Sequence, residues 1–212
     1  MDRPKSALRI FIQAGGRSSR MGTDKAWVEI NDRTMLEHVL VAAKPVAASL
    51  SIIIHPANPN TARYRRLAEQ WNARLLDDLH DHYGPLGGIH TALKACGEGE
   101  SALVLACDLP FLTAEFLEFL CREHDARAAQ ATVPLGCDGR LQPLAAVYDQ
   151  SCLAAVEERL ALQELKVERL FGVVRTERIA FQEFAHLPGA RKFFLNINTR
   201  EDYRNAGLDE AG

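Results

Sequence analysis

The chain has 212 residues, of which 47% are hydrophobic and 25% are charged, a composition typical of a globular protein rather than of a disordered or fibrous one. Its 25 lysines and arginines against 28 aspartates and glutamates give a formal net charge of −3. Because no basic run accompanies this balance, we expect no nucleic acid partner. No apolar stretch reaches the roughly eighteen residues of a membrane span, and the run at 8–12 is too short for a signal-peptide core. We therefore expect a cytoplasmic protein with no membrane partner, folded as one domain over 1–207 with a tail at 208–212.

In the first half of the chain, short β-branched runs alternate with segments of helical periodicity. The runs predict strands at 8–13, 50–55, 73–77 and 102–106, and the periodic segments predict helices at 34–43, 61–71 and 88–96. Thr34 followed by Glu37 fits a capping box at the start of the first helix. This order indicates a three-layer, Rossmann-like α/β fold with a mostly parallel central sheet and helices on both faces.

The second half is less regular. A helix is predicted at 113–122, and the segments 131–135 and 142–148, joined by a turn at 137–140, indicate a hairpin. We therefore expect an antiparallel strand to join the sheet in this half. A strand-like run at 193–197 follows near the end of the chain.

The stretch from Gln13 to Lys25 directly follows the first predicted strand and contains three glycines, two arginines and a lysine. Glycines let a backbone turn present its N–H groups to an anion, and cationic side chains complete the neutralisation. The spacing matches neither G-x-x-x-x-G-K-[ST] nor G-x-G-x-x-G. We interpret the stretch as a phosphate-binding turn in which the Gly15 and Gly16 backbone holds a phosphate chain that Arg20 and Lys25 neutralise.

Asp108 follows the apolar run at 102–106 and is predicted to lie at the carboxyl end of a central parallel strand, where ligands bind in open α/β sheets. A carboxylate at that point suits Mg2+, which takes one or two carboxylates together with substrate phosphates and water. The alternative is that Asp108 caps the helix at 113–122, although Thr113 is the better placed cap.

Asn196 and Asn198 flank Ile197, and a spacing of two places both amides on one face of a strand. Amide groups there could form a second wall of the phosphate site. The alternative is that they satisfy a strand end and cap a helix that starts near Arg200.

Neither the histidines nor the cysteines show convincing metal-binding spacing. The aspartates and histidines at 77–82 invite a zinc hypothesis, but H-x-H in a loop is common, and spacing alone does not show that side chains converge. The five cysteines are an odd number, widely separated and without a C-x-x-C pair. This pattern argues against a disulfide framework and a structural zinc site, and most of them are expected to be small core residues.

Residues 14–25 have the sequence pattern Ala-Gly-Gly-x-Ser-x-Arg-Met-Gly-x-Asp-Lys. This pattern resembles the N-terminal signature of the molybdenum cofactor guanylyltransferases, a group of nucleoside-triphosphate transferases. Further landmarks of that family follow in order at 84–89, 107–110, 142–148 and 196–202. Two positions depart from the family pattern: Gln13 stands where leucine is usual, and Arg200 where proline is usual.

The resemblance implies a nucleotidyltransferase fold and transfer of GMP from GTP to a phosphorylated acceptor, molybdopterin carrying molybdenum, with release of pyrophosphate. It implies Mg2+ on Asp108 together with Asn198. It also implies nucleotide contacts at Gln13, Ala14, Gly15, Gly16, Lys25, Asp78 and Asp108. Asp77 is an alternative to Asp78, and the sequence indicates no oligomeric state. Rival interpretations are a cytidylyl- or sugar-phosphate nucleotidyltransferase and a degenerate homologue that binds nucleotide without turning it over.

Overall fold

The computed structural model describes residues 8–14 and 24–195. The predicted tail at 208–212 lies outside these ranges. The strands of the described residues, in chain order, are β1 Leu8–Gln13, β2 Glu29–Ile30, β3 Arg33–Thr34, β4 Ser49–Ile54, β5 Arg74–Asp77, β6 Ser101–Ala106, β7 Ala131–Pro134, β8 Ala145–Asp149 and β9 Thr176–Ile179. Their α-helices are α1 Met35–Ala43, α2 Thr61–Gln70, α3 Gly84–Ala95, α4 Ala114–Arg127, α5 Leu153–Ala161, α6 Val167–Leu170 and α7 Phe181–Phe184.

Seven of these strands form one sheet in the order β5-β4-β1-β6-β8-β7-β9, and β2 pairs with β3 in a small ribbon. In the main sheet, β8 runs antiparallel to both of its neighbours, while every other pairing is parallel. The prediction of a mostly parallel sheet with an antiparallel strand in the second half is confirmed.

Helices cover both faces of this sheet, because its strands alternate their buried side chains between two apolar cores. On one face, Ile10, Ile12 and Leu105 pack in a cluster with residues of α1, α2, α4 and α7. On the other face, Phe11 and Val104 pack in a cluster with residues of α3, α5 and α6. The three-layer arrangement follows from this alternation.

Local capping signals set the start of two helices as predicted. At α1 the hydroxyl of Thr34 accepts from the Glu37 N–H at 3.2 Å, and the Glu37 carboxylate accepts from the Thr34 N–H at 2.8 Å. At α4 the hydroxyl of Thr113 accepts from the Phe116 N–H at 3.3 Å. The capping box is confirmed, and Thr113 rather than Asp108 caps α4.

Several sequence predictions about element bounds are wrong, among them the end of α4, which lies at Arg127 and not at 122. Helix α3 begins at Gly84, not at 88, because Pro85 stands in its first turn, where a missing N–H costs nothing. Strand β8 begins at Ala145, three residues after the predicted start at 142. Residues 193–195 are not a strand but follow a short 3₁₀ turn at Ala190–Lys192. The ring of Phe193, directly after this turn, lies 4.8 Å from that of Phe116. The remainder of the predicted strand lies outside the described ranges.

In the part of the chain that the structure describes, no helix combines the length and the apolar character that crossing a membrane would take.

Candidate active site

The carboxyl ends of the parallel strands meet at one edge of the sheet, with the end of β1 at its centre. Gln13, the last residue of β1, is in register with Ile53 of β4 on one side and Ala106 of β6 on the other. The chain leaves β1 towards β4 and β5 and returns to pair β6 with the other side of β1. The gap between β1 and β6 is therefore the switch point at which open α/β sheets bind ligands.

Lys25 and Asp108 meet across this switch point. The Lys25 Nζ lies 3.7 Å from the Asp108 Oδ2, and the side chains are 37% and 23% exposed, respectively. Lys25 follows β1, and Asp108 follows β6. The two residues that we singled out for the phosphates and for the metal thus form one partly open charged pair.

Asp24 fixes the chain just before Lys25. It is the N-cap of a 3₁₀ turn at Lys25–Trp27, and its Oδ1 accepts from the Ala26 N–H at 3.3 Å. Its Oδ2 accepts from the hydroxyl of Tyr64 at 2.8 Å. The amides of Asn58 and Asn60 lie 3.5 and 3.4 Å from the same oxygen. Lys25 therefore extends from a backbone that is anchored on the residues leading into α2 and on α2 itself.

Asp78 is held at the same edge, beyond the end of β5. Its N–H donates to the Ile54 carbonyl at 2.7 Å. Its Oδ1 accepts from the hydroxyl of Thr91 at 2.9 Å and from the His80 N–H at 3.2 Å. Asp77 is exposed, whereas Asp78 is half-buried. Hydrogen bonds therefore hold the Asp78 carboxylate in a fixed orientation.

The side chain of Gln13 occupies a notch in the first turns of α3. Its Nε2 donates to the Gly84 carbonyl at 3.2 Å. A Cβ on Gly88 would lie 2.3 Å from both Cδ and Nε2 of Gln13, so only glycine at 88 leaves room for this amide. The segment 84–88 is thus the start of α3 and forms a helical wall against which Gln13 packs.

The histidines of the 77–82 run have partners other than a metal. His55 and His82 both approach the Oδ1 of Asp81, at 3.0 and 3.1 Å. His80 contacts the buried His90 at 2.8 Å. Within residues 8–14 and 24–195, no group of three or more histidines, cysteines, aspartates and glutamates could hold a metal ion.

The cysteine beside Asp108 is chemically quiet. Burial and the neighbouring Asp108 charge raise the pKa of the Cys107 thiol well above its usual value, so it remains a protonated core residue rather than a nucleophile. Cys96 and Cys152 are buried as well, whereas Cys121 is half-buried and Cys137 is exposed.

Several predicted site residues lie outside the described ranges: Gly15, Gly16, Arg20, Asn196 and Asn198. Their predicted roles remain predictions.

A known protein family matches the segments of the chain that form this site. The model of the MobA-like NTP transferase domain matches residues 10–179. The chain belongs to the MobA-like NTP transferase family. This match covers most of β1 together with Lys25, Asp78 and Asp108, so the carboxyl edge described above is the corresponding region of a nucleotidyltransferase domain.

The similarity to individual relatives extends over nearly the whole chain. The probable molybdenum cofactor guanylyltransferase of Carboxydothermus hydrogenoformans is 33% identical, over 92% of this chain and 93% of its own. The probable molybdenum cofactor guanylyltransferase of Halalkalibacterium halodurans is 35% identical, over 90% of this chain and 93% of its own. The crystal structure of molybdopterin-guanine dinucleotide biosynthesis protein A from Archaeoglobus fulgidus matches with a TM-score of 0.75 at 25% identity, covering 93% of this chain and 96% of that one.

Two supporting side chains of the site carry no local sequence signal. Tyr64 and Thr91 lie on α2 and α3, and their sequence context indicates only that each belongs to a buried helix face. Their partners, Asp24 and Asp78, come from distant segments of the chain.

Proposed function

We propose that this member of the MobA-like family transfers GMP from GTP to the phosphate of molybdopterin carrying molybdenum and releases pyrophosphate. The observation that carries the proposal is the Lys25–Asp108 pair, 3.7 Å apart across the switch point between β1 and β6. The names of the relatives support the choice of guanine nucleotide and acceptor. The Ala-Gly-Gly motif at residues 14–16 supports the same choice.

The proposed reaction needs charge neutralisation more than a general base. An oxygen of the acceptor phosphate attacks the α-phosphorus of GTP, a new P–O bond forms, and the bond to the β-phosphate breaks, so that pyrophosphate leaves with the electron pair. A phosphate monoester has a second pKa of about 6 and is largely dianionic at neutral pH, so this nucleophile is already deprotonated. The barrier comes from bringing two polyanions together and from the charge that develops on pyrophosphate.

Lys25 suits that task because of where it is held. Its ammonium lies at the ligand-binding edge, and its side chain is 37% exposed, so a triphosphate can reach it. In our proposal Lys25 neutralises the triphosphate together with Arg20, and the backbone of Ala14, Gly15 and Gly16 holds the phosphates. Preorganised charges of this kind stabilise a transition state without reorganising during the reaction.

The donor chemistry of Asp108 fits Mg2+. Its carboxylate offers hard oxygen ligands, its side chain is 23% exposed, and it faces the same edge as Lys25. Asp108, with Asn198 as the proposed second protein ligand, would hold Mg2+, which typically keeps substrate phosphates and water in its remaining positions. When bound, the ion supplies positive charge to the phosphate oxygens.

Gln13, at the centre of this edge, and Asp78, beyond the end of β5, are the proposed contacts to the nucleotide. Guanine presents its N1–H and exocyclic amine as donors and needs fixed acceptors. The Asp78 carboxylate is oriented by Thr91 and His80. Among the described residues, the Oε1 of Gln13 is a buried acceptor without a hydrogen-bond partner. A ligand donor that reaches it would remove the cost of that orphaned group, about 1–3 kcal/mol.

A nucleotide panel tests the proposal. Each of GTP, ITP, ATP, CTP and UTP is incubated with Mg2+, with and without molybdopterin carrying molybdenum, and pyrophosphate release is measured. We expect release only with the acceptor present, fastest with GTP. ITP, which lacks only the exocyclic amine, should bind more weakly by about 1–3 kcal/mol because one acceptor is left unpaired. A preference for CTP would contradict the guanylyl assignment, and nucleotide binding without turnover would indicate a degenerate homologue.

A further inference from the structure

Tyr64, on the buried face of α2, connects the two stretches of chain that flank positions 15–23. Its side chain is 0% exposed. Its hydroxyl donates to the Asp24 Oδ2 at 2.8 Å and lies 3.1 Å from the Ala14 carbonyl oxygen, so two acceptors share one phenolic hydrogen. Ala14 directly follows β1, and Asp24 directly precedes Lys25. The hydroxyl therefore ties the residue before Lys25 to the end of the central strand.

The residues on both sides of Lys25 contact the same helix. On one side, the Asp24 carboxylate accepts a hydrogen bond from the hydroxyl of Tyr64. On the other, the Trp27 ring lies 4.8 Å from the Tyr64 ring, and the Arg63 guanidinium lies 3.9 Å from the centroid of Trp27, within cation–π distance. The backbone from 24 to 27 is thus docked on α2, with Lys25 directed to the Asp108 carboxylate.

Hydrophobic packing alone does not require the hydroxyl. A phenylalanine ring would fill the same space in the core, and the hydroxyl adds a polar atom that has to be satisfied when it is buried. Burial and the Asp24 charge raise the pKa of Tyr64 far above its usual value, so at neutral pH the phenol is protonated and donates its hydrogen. Both of its acceptors belong to the stretch from Gln13 to Lys25 that we interpret as a phosphate-binding turn.

We propose that Tyr64 is a positioning residue for the transfer reaction. Through Asp24 it holds Lys25 at a fixed distance from β1 and from Asp108. In that position the Lys25 ammonium contacts the triphosphate of GTP. The inference rests on the proposed function, because it gives Tyr64 a role only through Lys25. It adds a residue outside the glycine-rich stretch to the machinery that binds phosphate.

The test is a double-mutant cycle on nucleotide affinity. Tyr64→Phe, Lys25→Ala and the double variant are titrated with GTP and with guanosine, which lacks the phosphates, in the presence of Mg2+. Tyr148→Phe is the matched control, since Tyr148 is also 0% exposed and its hydroxyl donates to the Pro143 carbonyl at 2.7 Å, within the core on the other face of the sheet. Urea unfolding of each variant gives its stability. Asp24→Asn is a second route to the same perturbation and keeps the size of the side chain.

We expect Tyr64→Phe to weaken GTP binding by about tenfold, as for the loss of one hydrogen bond to a charged group, and to leave guanosine binding unchanged. In the Lys25→Ala background the same substitution should change GTP affinity less than twofold. Asp24→Asn should reproduce the pattern, and Tyr148→Phe should not. An equal effect in both backgrounds, or an equal loss for GTP and guanosine, would overturn the positioning role. If Lys25→Ala alone leaves GTP affinity unchanged, the proposed phosphate role of Lys25 fails, and this inference fails with it.

Discussion

Replacing Lys25 with alanine should separate catalysis from stability. The Lys25–Asp108 pair has an N···O distance of 3.7 Å and side chains that are 37% and 23% exposed. Partly exposed pairs of this kind contribute about 0–1 kcal/mol to folding because solvent screens them. Loss of one preorganised electrostatic contact to a transition state costs about 3 kcal/mol, which corresponds to a fall of roughly 10²-fold in kcat/KM. The variant should therefore lose at least this much activity while its free energy of unfolding changes by less than about 1 kcal/mol.

Pyrophosphate release with GTP, Mg2+ and acceptor measures the first quantity, and urea unfolding measures the second. Lys94→Ala is the matched control, because the Lys94 Nζ pairs with Glu157 at 2.8 Å, both side chains are 46% exposed, and neither residue belongs to the proposed site. It should change stability as little as Lys25→Ala does and should keep full activity. Normal kinetics in a folded Lys25→Ala protein would refute the reasoning, as would a loss of several kcal/mol in stability that accounts for the lost activity.

Three further predictions follow from the same geometry. Asp108→Asn keeps the size of the side chain but removes its charge, so turnover should collapse and the Mg2+ concentration for half-maximal rate should rise. The unfolding midpoint in urea should stay close to that of the parent protein. An unchanged Mg2+ dependence of the rate would show that the role of Asp108 is structural. Gly88→Ala should displace the Gln13 amide, since the new Cβ would lie 2.3 Å from its Cδ, and so should weaken GTP binding; Gln13→Ala in that background should cause no further loss, and a full additional loss would show that Gln13 had not moved. Burial holds the pKa of His90 below its usual value of 6.5, so as the pH drops through that value the unfolded chain binds this proton before the folded protein does, and the free energy of unfolding falls. In His90→Gln the free energy of unfolding in urea should fall less steeply between pH 7 and 5. An unchanged slope would contradict a lowered pKa of His90.

The sequence by itself determined the elements whose signals are local. The apolar run of β1 matches its predicted bounds at Leu8–Gln13, and the capping pair Thr34 and Glu37 starts α1 as predicted. Asp108 was identified because a carboxylate directly after a buried strand must lie at the carboxyl edge of a parallel sheet. In each case the signal and its consequence lie within a few residues of each other, so the chain order alone carries the information.

The tertiary structure decided which of these signals share a site. Lys25 and Asp108 meet because β6 pairs with β1, and nothing near either residue specifies that strand order. Tyr64 reaches Asp24 only because α2 packs in the same apolar core as Ala14 and Ala26. The accommodation of Gln13 at Gly88 likewise depends on a contact between distant segments. Such contacts follow from the packing of whole layers, whose energies are summed over many residues, and no single residue or short motif encodes them.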